Sequence, residues 1–161
     1  MTCLLTGANL PSQDREDGAV PIHAAPGIDG YHNVAKVQGP GIVTGRAGSL
    51  GRVRFVHEDF WPLNTTLWVK EFRAAPARFS LHLLRSMDLE RYGQGATMPM
   101  LDRKVVHQVQ VVVPPESAMQ EFETFATDVY DQIKTLQAAS EKLRTARDLL
   151  LPRLMSGELT V

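Results

Sequence analysis

From Phe122 onward the core-type positions of this chain step alternately by four and three residues, through Ala126, Val129, Ile133, Leu136, Ser140, Leu143, Arg147 and Leu150. That period is the seam of a coiled coil. No Gly or Pro interrupts the stretch between Pro115 and Pro152, so the spacing predicts one helix about 50 Å long at the usual helical rise. A small globular portion cannot cover a helix of that length, and such a helix wants a partner. The expected contact residues are Phe122, Val129, Ile133, Leu136, Leu143 and Leu150. Ser140 and Arg147 are polar positions in the seam, which suits a helix–helix interface that sets register. A bundle or core helix is the plainer alternative.

Length bounds the rest: 161 residues allow one domain and an appendage. Charges break every apolar run well before the roughly 18 residues of a membrane span. The opening Met1-Thr2-Cys3-Leu4-Leu5 lacks the basic region and apolar length of a secretory signal. A lone Cys3 leaves no partner for an internal disulfide and no cysteine-rich metal site. The expected compartment is therefore the cytoplasm. Net charge is −1, so bulk charge makes no case for nucleic acid. Residues 1–115 hold 12 Lys and Arg against 10 Asp and Glu, and residues 116–161 hold 5 against 8. Lys36 to Arg54 carries four basic residues and no acidic one, a weak basic patch.

The globular part, residues 1–114, reads as α+β. Ala8–Gly30 is rich in turn signals, with a short strand near Val20–His23. Gly41–Thr44, the glycine-rich Gly45–Gly51 and Arg52–Val56 read as strand, turn, strand. Thr65–Val69 is a further strand. Pro76–Leu89 reads as a helix with Phe79, Leu83, Leu84 and Met87 on its apolar face. Gly93–Pro99 reads as a loop, and Val109–Val113 as a last strand closed by Pro114-Pro115. A curved, mainly β sheet with short helices follows, then the coiled-coil helix from residue 115 to 161.

The Gly45–Gly51 turn fits neither phosphate-loop template: it has no Gly-Lys-Ser/Thr, and a strand follows it where a helix N-terminus is needed. It is either a tight β turn or a loop that brings Arg46 and Ser49 to a polyanion, with Arg52 just beyond. Arginine offers a fork to phosphate or to a guanine edge. Gly93–Pro99 is either a connector or a recognition loop in which Gln94 and Thr97 supply donors and acceptors. His23, His32, His57, His82 and His107 show no metal-ligand spacing. No nucleophile at a strained turn and no carboxylate pair stands out. Val113-Pro114-Pro115-Glu116 lacks the flanking residues of an amino-methyltransferase motif.

In order and spacing these pieces resemble the DNA-specificity subunit of type I restriction–modification enzymes. Gly18-Ala19-Val20-Pro21-Ile22 with Gly27–Tyr31 looks like the opening of that family's target-recognition domain. Gly39–Gly51 is similar to its most typical segment, and Phe60–Thr66 to the strand that follows. Gly95–Leu101 looks like its Gly-Ser/Ala-x-x-Pro-x-Leu loop. Val113-Pro114-Pro115 and Arg147–Leu159 resemble the boundaries of its spacer helix. Two departures stand out. The usual family chain carries two recognition domains and two spacer helices, where this sequence has one of each, and no typical helix and strand lead up to Gly18.

The resemblance implies a non-catalytic reader of double-stranded DNA. It would dock methyltransferase (modification) subunits and, through them, restriction subunits. S-adenosylmethionine and ATP would sit on those partners, and this chain would hold no cofactor. With one recognition domain and one helix, it is expected to act as a homodimer on a split palindromic site. Base-contacting positions do not transfer from the family. Arg46, Ser49, Arg52, Gln94 and Thr97 rest on loop position and donor chemistry alone. The competing readings are a protein-assembly module tethered by its helix, and a recognition domain severed from a DNA-modifying enzyme.

Overall fold

The computed structural model describes residues 3–158. Leu159, the last residue of the C-terminal signature, lies outside that range. The chain divides into two compact units, Met1–Glu123 and Thr124–Val161. The α+β class is borne out, but the β structure is distributed over three small sheets rather than one.

The largest sheet is built from β1 (Cys3–Thr6), β4 (Gly41–Gly45), β5 (Arg54–Val56) and β7 (Thr66–Glu71), in the order β1-β7-β4-β5 with every pair antiparallel. All of β4 is buried, as a central strand covered on both faces should be. The second sheet joins β2 (Val20–His23) to β3 (Ile28–His32) antiparallel and to β6 (Trp61–Pro62) parallel. The third is the hairpin of β8 (Gly93–Gln94) and β9 (Met100–Leu101). Two apolar clusters fill the unit. Leu10, Ile22, Ala24 and Leu63 form one, against Trp61. Val37, Val43, Val56 and Phe60 form the other, against Trp68. Phe60 is wholly buried, which stabilises the fold by roughly 1.5–3 kcal/mol.

The expected strands near Val20–His23, over Gly41–Thr44, before Val56 and after Thr65 are all present. Three readings need correction. The helix α1 runs Ala77–Ser86, and its buried residues are Arg78, Ser80, Leu81 and Leu84. Phe79 and Leu83, placed on the core face by periodicity, are only half-buried. The Arg78 guanidinium lies 3.8 Å from the centre of the Phe55 ring; the cation takes an apolar position because an aromatic face receives it. Secondly, Gly93–Pro99 is not a plain connector, since its first two residues form β8.

Thirdly, Val109–Val113 is not a strand. The chain forms α2 (Arg103–Gln108) first, with the Asp102 side chain accepting from the Lys104 amide at 2.8 Å, a standard N-cap. Residues 109–115 carry no regular secondary structure, and Val111, Val112 and Val113 stay exposed. Three valines favour extended backbone, but a strand exists only where an edge is available to pair with it.

The long helix α3 spans Glu116–Met155, 40 residues, and so is about 60 Å long at 1.5 Å per residue. It continues one turn past Pro152, further than the sequence suggests. In the last turn a proline disrupts little, and the Ser156 amide donates to the Pro152 carbonyl at 2.9 Å. The helix stops at Gly157, whose φ of +74° is the left-handed geometry of a glycine terminator. The first eight residues of α3 belong to the globular unit. No described helix is long and apolar enough to cross a membrane.

Candidate functional site

Two loops nearly fifty residues apart in sequence meet side by side. The first begins where β4 ends. The amides of Arg46 and Ala47 both donate to the Thr65 carbonyl, at 2.8 and 3.2 Å, and the Arg46 Nη1 donates to the Asn64 carbonyl at 3.2 Å. The second loop is the β8–β9 hairpin. Its Leu101 amide donates to the Arg46 carbonyl at 2.8 Å, and Ala47 pairs with Met100 across an antiparallel bridge. The glycine-rich turn is therefore held on one flank by residues 64–65 and on the other by the hairpin. Gly45 explains why this turn needs glycine: a Cβ there would stand 1.8 Å from the Ser49 carbonyl oxygen. The close approach folds the turn back under itself.

The junction leaves a cleft of about 390 Å³ lined by Thr6, Arg46, Gln94, Met100, Asp102 and Arg103. Two of the sequence-derived residues, Arg46 and Gln94, thus share one surface. Ser49, Arg52 and Thr97 do not line this cleft. Ser49 sits half-buried within the turn, while Arg52 and Thr97 are exposed. Thr6 and Arg103 were missed. Arg103 lies just past the Gly95–Leu101 segment, and a basic residue next to a recognition loop was a usable signal. Thr6 reaches the cleft only through the pairing of β1 with β7, which no local pattern announces. Two guanidinium forks, an amide and a hydroxyl offer the donors and acceptors that read base edges or hold phosphate. A single carboxylate, Asp102, is already used as the cap of α2.

Behind the turn, Arg54 is not available as a ligand group. It donates to the Ala24 carbonyl, and burial, then the nearby Arg52 charge, lowers its pKa. His23 is buried edge-on against Phe60, and neither ring nitrogen has a hydrogen-bond partner. Burial first, and Arg54 second, lower its pKa. Both residues belong to the framework.

The residues expected at a helix–helix interface fall into two groups. Phe122 packs edge-on against Phe79 and His82, with ring centroids 6.0 and 5.4 Å away, so it is already committed to the globular unit. Val129 is half-buried, whereas Ile133, Leu136, Leu143 and Leu150 are 41–71% exposed. Phe125, 68% exposed, was overlooked. It lies 11 residues before Leu136, close to three helical turns, and so falls on the same stripe.

Comparison with known proteins bears out the family resemblance. Over 68 residues, 42% of its length, the chain is 31% identical to the MjaIX type I restriction enzyme specificity subunit of Methanocaldococcus jannaschii, of which it spans 16%. Its fold matches the S subunit of a type I restriction–modification system from M. genitalium with a TM-score of 0.83 at 15% identity, covering 96% of this chain and 43% of that one. A chain from structural work on complex assembly and conformational transition in the type I R–M system matches with a TM-score of 0.59, also at 15% identity, over 92% of this chain and 41% of the other. The chain thus spans less than half the length of each of these proteins. No family model matches it.

Proposed function

We propose that this chain, which has the fold of a type I specificity subunit, is the DNA-reading component of a type I restriction–modification complex. In this reading residues 1–114 recognise DNA, and residues 115–161 form a spacer and dimerisation helix. The chain itself is non-catalytic. It docks modification subunits, which carry S-adenosylmethionine, and through them restriction subunits with ATP. Its place of action is the cytoplasm, on chromosomal or invading DNA.

The observation that carries the reading is the cleft at the junction of the two loops. Arg46 and Arg103 flank Gln94 there, so donors from distant parts of the sequence converge on one surface. Phosphates would be held by the outlying Arg52, and base edges read by the cleft and by Thr97 and Ser49 beside it.

The exposed seam supports a homodimer, and charge supports its orientation. Residues 116–131 carry Glu116, Glu121, Glu123, Asp128 and Asp131 and no Lys or Arg. Residues 132–155 carry Lys134, Lys142, Arg144, Arg147 and Arg153 against Glu141 and Asp148. An antiparallel pair sets the acidic half of each helix beside the basic half of the other, whereas a parallel pair opposes like charges. Two copies related by a two-fold axis then read inverted copies of one half-site across a fixed gap.

Methylation mapping of cells that carry this chain with its modification subunit tests the proposal. The expected target is an inverted repeat with a constant unspecified spacer. An asymmetric or continuous target refutes the symmetric pair. A chain that shows no salt-dependent DNA binding refutes the reader altogether and leaves the assembly module.

A further inference from the structure

A cavity of about 560 Å³ opens on the globular unit between α1 and the segment after α2, lined by Ala74, Phe79, Leu83, Val109, Val111 and Val113. Phe79 also packs on Phe122, so the cavity lies beside the first turns of α3. At the opposite end of the same helix, Leu149, Leu150, Leu151, Leu154 and Met155 are 41–82% exposed. Single exposed apolar residues need no explanation, but contiguous patches do.

We infer that this cavity is the seat for the C-terminal end of α3 from a second copy of the chain, with the partner's Leu151, Leu154 and Met155 as its occupants. The inference rests on the homodimer reading above and adds a second contact to it. Three observations select this occupant. The acidic start of α3 faces the basic end of its partner only in an antiparallel pair. The seam itself leads to the cavity: its position at Phe122 is already filled by Phe79 and His82. A helix following the seam toward Glu116 therefore runs onto α1. Length agrees as well. Layering the exposed seam in antiparallel heptads, with its centre between residues 134 and 138, sets the partner's residues 150–155 beside about residues 114–126.

The contact has a functional consequence. Each recognition unit would be gripped by its own helix and by the end of its partner's. The gap between half-sites would then be fixed at both ends of the paired helices.

Cross-linking of the full chain with a short bis-maleimide tests this, in a Cys3→Ser background that removes the native thiol. Leu136→Cys reports pairing of the seam. Val113→Cys with Leu154→Cys reports the seat. Circular dichroism checks that each variant keeps its helix. The expected result is a covalent dimer from Leu136→Cys and from the double variant, and none from Val113→Cys or Leu154→Cys alone. In an antiparallel pair like positions near the helix ends lie far apart. A cross-link from Leu136→Cys without one from the double variant overturns the seat and leaves the homodimer standing. A cross-link from Leu154→Cys alone shows a parallel pair and overturns the seat. Capture of a co-purified modification subunit by Val113→Cys, in place of the dimer, gives the cavity to another protein and also overturns it. If no variant cross-links and light scattering shows a monomer, both the homodimer and the seat fall.

Discussion

Helix α1 lacks a cap of its own. Pro76 precedes it and offers no side-chain hydrogen bond, yet the first amides of a helix need acceptors. Glu123, on α3, supplies them. Its carboxylate accepts from the Arg78 amide at 2.8 and 3.1 Å and from the Phe79 amide at 3.0 Å. Glu123→Ala removes the acceptor for both amides at once. Loss of an N-cap costs about 0.5–2 kcal/mol, and a hydrogen bond to a charged group is worth about 1.5–3 kcal/mol net. Glu123 is half-buried, so water replaces part of what is lost, and the expected cost is about 2 kcal/mol. Glu123→Gln keeps an oxygen acceptor and gives up only the charge at the positive helix end, for about 0.3–1 kcal/mol. Urea unfolding at one fixed protein concentration measures both, since dimerisation would otherwise shift the midpoint. Amide exchange at Arg78 and Phe79 should also quicken in Glu123→Ala. A Glu123→Ala protein within about 0.5 kcal/mol of wild type, a margin set by ordinary surface changes, would refute the capping argument.

Acid should destabilise the fold partly through His23. Its folded-state pKa lies below the ordinary 6.5, so as pH falls through that value the unfolded chain takes up a proton that the folded ring refuses, and stability drops; above it the contribution is complete. His82 shifts the same way, through burial and then Arg85 and Arg78, so His23→Leu should reduce the loss of urea midpoint between pH 7.5 and 5.5 without abolishing it, and an unchanged slope would exclude His23. Gly45→Ala forces its methyl to within 1.8 Å of the Ser49 carbonyl oxygen and should cost about 1–3 kcal/mol in the same unfolding assay, with DNA affinity falling too. In gel shifts on a target duplex, Arg46→Ala should cost about 1–3 kcal/mol and relax specificity if Arg46 reads a guanine edge. A uniform loss across sequences with a shallower salt slope would instead make it a phosphate contact.

Much of this protein was legible without coordinates, where the signal was local. The step of four and three residues from Val129 to Leu150 specified the long helix, because helical periodicity is written into neighbouring residues. The strand–turn–strand around Gly45–Gly51 was equally plain, since turn glycines and β-branched runs act over a few residues. Local signals failed where a neighbour decided the outcome. Val109–Val113 has the composition of a strand and finds no edge to join. Arg78 and Phe79 exchange the depths that periodicity assigns them, because the Phe55 face receives a cation and Phe122 receives a ring.

By itself, then, the sequence determined the α+β class, the helical arm and the two loops worth watching, as well as the family they resemble. Only the tertiary structure decided that those loops form one surface. The Ala47–Met100 bridge and the bond from the Leu101 amide to the Arg46 carbonyl join segments with no common local pattern. Thr6 enters the same cleft because β1 pairs with β7 at the edge of a sheet. Such long-range hydrogen bonding is settled by which sheet edges and buried faces are free once the core has closed, and no window of neighbouring residues contains that information.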